Sequence, residues 1–164
     1  MSKKSLIQHA YTATRALPSP LDNITFSRLF GTSVKFAGHS DVEFLEAGPQ
    51  RVKLRMKNKR KLQNHIGTVH AVAMSLLAES ASGSIVALNL DADKLALCKG
   101  MYVDFTRRTA KGEIYAEASL TDEQVELITT TPKGETEVTT VVTDSQGENP
   151  VEVRMIWAWV PLKK

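Results

Sequence analysis

The stretch Asn64-His65-Ile66-Gly67-Thr68-Val69-His70-Ala71, running directly into Val72-Ala73-Met74-Ser75-Leu76-Leu77-Ala78-Glu79, sets a polar, glycine-containing loop in front of an apolar helix. Val69, Val72, Ala73, Leu76 and Leu77 recur at helical spacing. Ala71, Ser75, Ala78, Ser80, Ala81 and Ser82 keep the remaining sides small, so that a sheet can approach closely. Thr68 is the expected N-cap and Gly83 the expected C-terminal breaker. A helix N-terminus offers unpaired N–H groups and a partial positive charge, which suits a developing oxyanion. Glu79, in the third turn, adds a carboxylate able to act as base or nucleophile.

Upstream, Val42–Glu46 reads as a strand and Ala47–Gln50 as a turn. Arg51–Lys57 then alternates basic residues with Val52, Leu54 and Met56, which places the apolar set inward. Ser5–Ala16 carries apolar residues at helical spacing until Pro18 and Pro20 stop it, and a second helical piece spans Leu21–Phe30 before Gly31. Downstream, Ile85–Leu90 is expected as a short strand or extended connection, and Met101–Thr106 as a strand forming a hairpin with Glu113–Leu120 across Lys111-Gly112. Thr121 and Gln124 form a capping box for a brief helix over Asp122–Thr129. Glu137–Asp144 and Val151–Val160 make a second hairpin, on which Trp157 and Trp159 share a face suited to core or interface packing. The order is α+β: an antiparallel sheet with one central helix to cover, which a strongly twisted sheet can wrap.

With 164 residues, 42% of them hydrophobic, the chain fits one domain with a short N-terminal extension. Cys98 is the only cysteine, which excludes a disulfide framework and a thiolate zinc cluster. His9, His39, His65 and His70 are too scattered for a ligand set, so no metal is expected. The balance of 21 basic and 18 acidic residues, net +3, is not that of a dedicated nucleic-acid binder. The basic residues do cluster, at Lys53–Lys61 and at Arg107, Arg108 and Lys111. Each cluster reads either as a solvated face or as an anion site, and the basic strand lacks the interleaved aromatics that stack bases. No apolar run approaches the roughly 20 residues that span a bilayer, and no signal-type core follows Met1–Leu6. The expectation is therefore a soluble, cytoplasmic protein without a membrane partner.

The segment Asn64–Glu79 resembles the signature of the hotdog-fold thioesterases, the superfamily that includes hydroxybenzoyl-CoA and phenylacetate-pathway acyl-CoA thioesterases. Their Asn, loop Gly, His-Gly at the helix start and acid about two turns later are met by Asn64, Gly67, His70 and Glu79, with Ala71 replacing the second glycine. The likeness covers nearly the whole chain beyond about residue 35, and is greatest to an uncharacterised branch with the Asn-His-x-Gly-Thr-Val-His-Ala form. It implies a helical extension over 1–35 and a hotdog domain over 36–164, assembled as a homodimer or dimer of dimers. It also implies hydrolysis of an acyl-CoA thioester, with coenzyme A as part of the substrate and no other cofactor.

In that scheme the Ala71 N–H polarises the thioester carbonyl, while Glu79 activates water or attacks directly. Asn64 orients the water or a partner's carboxylate, or simply closes its own loop. His70 either holds the loop or helps polarise the carbonyl. Arg107, Arg108 and Lys111 are the first choices for the coenzyme A phosphates, and Arg60 and Lys61 the second. The alternative is a non-catalytic hotdog module that binds acyl-CoA or a lipid. What separates the two is whether Glu79 faces the tunnel.

Overall fold

The computed structural model describes residues 3–162; positions 1–2 and 163–164, the ends of the two expected segments, lie outside it. In chain order the elements are α1 (Leu6–Thr14), α2 (Leu21–Ser33), α3 (Lys35–His39), β1 (Glu43–Ala47), β2 (Arg51–Met56), α4 (Ala71–Asn89), β3 (Lys94–Phe105), β4 (Ile114–Ser119), α5 (Asp122–Thr130), β5 (Gly134–Asp144) and β6 (Val151–Pro161). The strands form a six-stranded antiparallel sheet in the order β1-β2-β4-β5-β6-β3. Strand β5 pairs with β6 over its first half and with β4 over its second, so the sheet curls around α4. As the alternation requires, Val52, Leu54 and Met56 are fully buried against the helix side.

Three local expectations are corrected. Ile85–Leu90 is not a strand: α4 continues through Gly83 to Asn89. The helix is buried on most of its circumference, so it lacks the amphipathic stripe that marks a surface helix. Gly83 survives inside it because the Trp157 ring lies where a Cβ would stand. Contrary to the expectation that no apolar run approaches bilayer length, α4 is the one helix among the described residues long and apolar enough for a bilayer, yet it is mostly buried within this fold.

Strands β3 and β4 do not form a hairpin. β3 instead lies along the full length of β6, from Lys94 opposite Pro161 to Phe105 opposite Val151, at the far edge of the sheet. Its twelve residues find a matching partner there, whereas β4 offers six. The helix cap is His70, not Thr68. Thr68 is buried, and its hydroxyl accepts from the Asn64 amide.

The N-terminal helices share the core. Phe26 and Phe30 of α2 pack edge-on against Phe44 of β1, at ring separations of 4.7 and 5.0 Å. Gln8 of α1 donates to the Leu88 carbonyl at 3.0 Å, and Arg15 pairs with Asp22, which ties α1 to both α4 and α2. The two tryptophans are core residues, as expected. Trp157 donates to Ser82 Oγ at 2.9 Å and Trp159 to the Thr131 carbonyl at 3.2 Å.

Candidate active site

Asn64 builds the loop that leads into α4. Its Oδ1 accepts the Ile66 and Thr68 N–H groups, both at 3.1 Å, and its Nδ2 donates to Thr68 Oγ1 at 2.8 Å. Of the two roles expected for Asn64, the geometry is that of a loop closure, with one amide hydrogen left over. Gly67 takes φ +76°, a left-handed conformation that favours glycine. His65 is an exposed loop residue. His70 caps the helix through Nδ1, which accepts from the Val72 N–H at 3.2 Å. The Ala71 N–H has no hydrogen-bond partner among the described residues and sits at the positive end of a 19-residue helix.

Glu79 is half-buried, and burial raises its carboxyl above the usual range, an effect partly offset by the adjacent Ser80 hydroxyl. Ser80 is 2% exposed, and apart from the Glu79 carboxyl its hydroxyl has no hydrogen-bond partner among the described residues. Both residues line a mainly apolar cavity of about 470 Å³ between α4, the α1–α2 pair and the Trp157 ring. Cys98 of β3 lies near enough to feel this carboxylate: burial pushes its thiol up, and the Glu79 charge pushes it further. Ser80 was not singled out in the sequence. It is one serine in a run of small residues, and only the folded chain buries its hydroxyl with an acid as its one polar neighbour.

A second cavity, of about 350 Å³, opens at the other end of α4, lined by Thr68, Arg107, Arg108, Thr109, Lys111 and Gln146 among others. Thr109 Oγ1 is buried there without a partner. Asp144 shapes this corner by accepting the Ala110, Gln146 and Glu148 N–H groups at 2.9, 2.9 and 3.2 Å. Burial opposes ionisation of Asp144, but those bonds prevail and hold its carboxyl below the usual range. Arg107 is paired with Glu148, whereas Arg108 and Lys111 have no carboxylate partner among the described residues.

Arg60 and Lys61 do not join them. Neither lines this cavity, and Lys61 is bound to Asp41 at 2.8 Å and to the His39 carbonyl at 2.6 Å. The basic strand is likewise an ion-paired surface. Arg51 meets Glu117, Arg55 and Lys57 meet Glu43, and Lys59 meets Asp41.

Ala71 and Glu79 are eight residues apart on one helix, hence about 12 Å along its axis. One carbonyl group cannot touch both within a single chain.

Residues 23–160 match the model of a family described as a domain of unknown function, DUF4442. The comparison with curated proteins returned no match. Among solved structures, a Pseudomonas aeruginosa protein of unknown function, called a probable thioesterase, is 29% identical, with 89% of this chain and 97% of that one covered at a TM-score of 0.73. A structural-genomics protein is 20% identical, covering 96% of this chain and 100% of its own at 0.74. A thioesterase from Haemophilus influenzae is 14% identical, covering 79% and 85% at 0.62. The last two are likenesses of fold alone. The curled antiparallel sheet around α4 is the hotdog fold of the thioesterase superfamily, as the resemblance implied.

Proposed function

The chain belongs to the DUF4442 family, and from that premise we propose that it is an acyl-CoA thioesterase that works as a dimer. The observation that carries this reading is Glu79: a desolvated carboxyl beside a buried hydroxyl, at the wall of an apolar cavity. Burial raises its basicity towards that of a general base for water. The Glu79 carboxylate takes a proton from water as the hydroxide adds to the thioester carbon, and Ser80 Oγ holds that water. The carbonyl oxygen gains negative charge against the Ala71 N–H. The tetrahedral adduct collapses by breaking the C–S bond, and the coenzyme A thiolate recovers the proton, leaving the free acid.

The 12 Å between Ala71 and Glu79 is what favours two chains. Two copies related by a two-fold axis, with their α4 helices antiparallel, bring Ala71 of one towards Glu79 of the other, twice per dimer. The surface for this contact is present. Strand β3 has a free edge. Met101 and Phe105 lie opposite the buried Met155 and Val151, on the sheet face turned to α4, yet are 49% and 50% exposed. Val72, the second residue of α4, is 60% exposed. In this dimer the coenzyme A arm leads to Arg108 and Lys111 beside its own Ala71, and the acyl group enters the other copy's cavity beside Glu79. No cofactor is required.

The test is release of free coenzyme A from short, medium, long-chain and aromatic acyl-CoAs, by wild type and Glu79→Gln, with the mass in solution measured for both. The expected result is a dimer or dimer of dimers in each case and a loss of roughly 10²–10⁴-fold in kcat for the variant. Absence of turnover on every substrate, with acyl-CoA still bound, would replace the hydrolase by a binding module.

A further inference from the structure

The cavity beside Glu79 is mainly apolar. Its floor is one face of α4, formed by Glu79, Ser80, Gly83, Ser84 and Ala87. Ser84 spends its hydroxyl on the Ala81 carbonyl at 3.0 Å, so the polar side chains of the floor not tied to backbone are Glu79 and Ser80, which face one another. Its roof comes from the N-terminal helices: Ile7 and Ala10 of α1 and Leu29 and Phe30 of α2 supply an apolar wall, and the hydroxyls of Ser5, Thr32 and Ser33 beside them are spent on backbone groups of their own helices. The roof is anchored rather than loosely laid. Ser5 and Gln8 close a capping box at the start of α1, and the Gln8 side chain bonds α4 at Leu88, beside the Ala87 end of the floor. The cavity is thus shaped before any ligand arrives, and its roughly 470 Å³ lies within the ~300–1,000 Å³ of small-molecule sites.

From Glu79 to Ala87 the floor runs eight residues, about 12 Å of helix axis, and an extended alkyl chain gains about 1.25 Å per carbon, which gives a length of about eight to ten carbons. An aromatic acyl group would fill only the Glu79 end. We propose that the cavity selects an unsubstituted, medium-length alkanoyl group, with the carbonyl at Glu79 and Ser80 and the chain running under α1 to Ala87. The α1–α2 pair is therefore the element that sets chain length. This inference rests on the thioesterase reading of the same cavity for its carbonyl end, but the chain-length rule holds for a binder as well.

The experiment profiles kcat/KM from acetyl- to palmitoyl-CoA, with benzoyl- and phenylacetyl-CoA alongside, for wild type, Ala87→Leu and Ile7→Ala. Binding of the same acyl-CoAs to Glu79→Gln, and to that variant combined with each cavity change, is measured by calorimetry. The profile should peak at octanoyl to decanoyl. Ala87→Leu, which shortens the far end, should lower the decanoyl-to-butanoyl ratio about tenfold, in line with what a methylene or two is worth in an apolar pocket. Ile7→Ala, which opens the roof, should move the peak to longer chains, and it alone decides the matter if Ala87→Leu does not fold. A flat profile, a maximum on an aromatic or on butanoyl and below, or a peak that neither variant moves would overturn the inference. If nothing is hydrolysed but the variants shift the binding preference, the hydrolase reading falls and the chain-length rule stands. If hydrolysis depends on Glu79 without any length optimum, the opposite holds.

Discussion

Gly83→Ala is the substitution for which helix propensity and packing give opposite signs. In the interior of α4, replacing glycine by alanine should stabilise by about 1 kcal/mol, because the unfolded chain loses freedom it would otherwise gain. Yet a Cβ at Gly83 would stand 2.6 Å from two carbons of the Trp157 ring. That ring is buried and held by its N–H bond to Ser82, so it has little room to retreat. Overpacking of this kind costs about 1–3 kcal/mol, which leaves a net loss of about 0–2 kcal/mol. For a chain of this size the melting temperature should fall by up to about 8 °C, where propensity alone would raise it by about 2–4 °C. Differential scanning calorimetry decides the sign, and Trp157→Phe supplies the control. With the outer ring atoms gone, Gly83→Ala should become stabilising. A rise in Tm in the wild-type background, or the same loss beside Phe, would refute the claim that Trp157 is what keeps position 83 a glycine.

Glu79→Gln should raise stability at neutral pH while lowering kcat by the roughly 10²–10⁴-fold expected for loss of a general base. The folded carboxyl titrates above its unfolded value of 4.5, so the folded state holds the proton more tightly. Stability is then fully present below that value and is lost as pH rises through the raised one. The Tm advantage of the variant should accordingly grow with pH across that window, and a constant or shrinking difference would contradict a desolvated Glu79. Arg108→Ala with Lys111→Ala should raise KM for acyl-CoA about tenfold with kcat nearly unchanged, as loss of charged hydrogen bonds outside the reacting centre does. The salt dependence of KM should flatten in the same variant, and an unchanged salt slope would place the phosphates elsewhere.

The parts of the fold legible in the sequence are those whose signal is local. The alternation of Arg51–Lys57 and the Thr121/Gln124 capping box rest on neighbours a few residues apart, and each element forms as expected. The hairpin of β5 with β6 forms only at its far end, Gly134–Val138, because Thr139–Asp144 pair with β4 instead. What misled was long-range. Met101–Thr106 and Glu113–Leu120 look like hairpin arms, but β3 is claimed by a longer partner whose residues lie some fifty positions downstream. Thr68 has the better capping side chain, but Asn64 occupies it, and the cap passes to His70. The crowded cations of β2 left a solvated face and an anion site both open, and the choice fell to the solvated, ion-paired face only when carboxylates outside the strand, Glu43 and Glu117 foremost, came to lie beside them.

For the site, the spacing within the motif held more than its residue types. Loop glycine, helix start and acid are a pattern that many chains could match, whereas the eight positions between Ala71 and Glu79 carry a distance. Helical geometry converts them to about 12 Å, too far for an N–H and a carboxylate to share one carbonyl. Either the two groups serve different ends of a ligand or a second chain supplies one of them. The folded molecule then weighs on this choice: among the described residues, a Thr109 hydroxyl without a hydrogen-bond partner and two cations without a carboxylate partner mark a polar pocket by the helix start, and an apolar cavity opens beside the acid. On the proposed reading, a thioester with a phosphorylated arm and an alkyl tail is long enough to need both pockets, and its carbonyl would fall between them where two copies meet. Catalysis, on this reasoning, should fail in any variant that keeps Glu79, Ala71 and both pockets intact but holds the chain as a monomer.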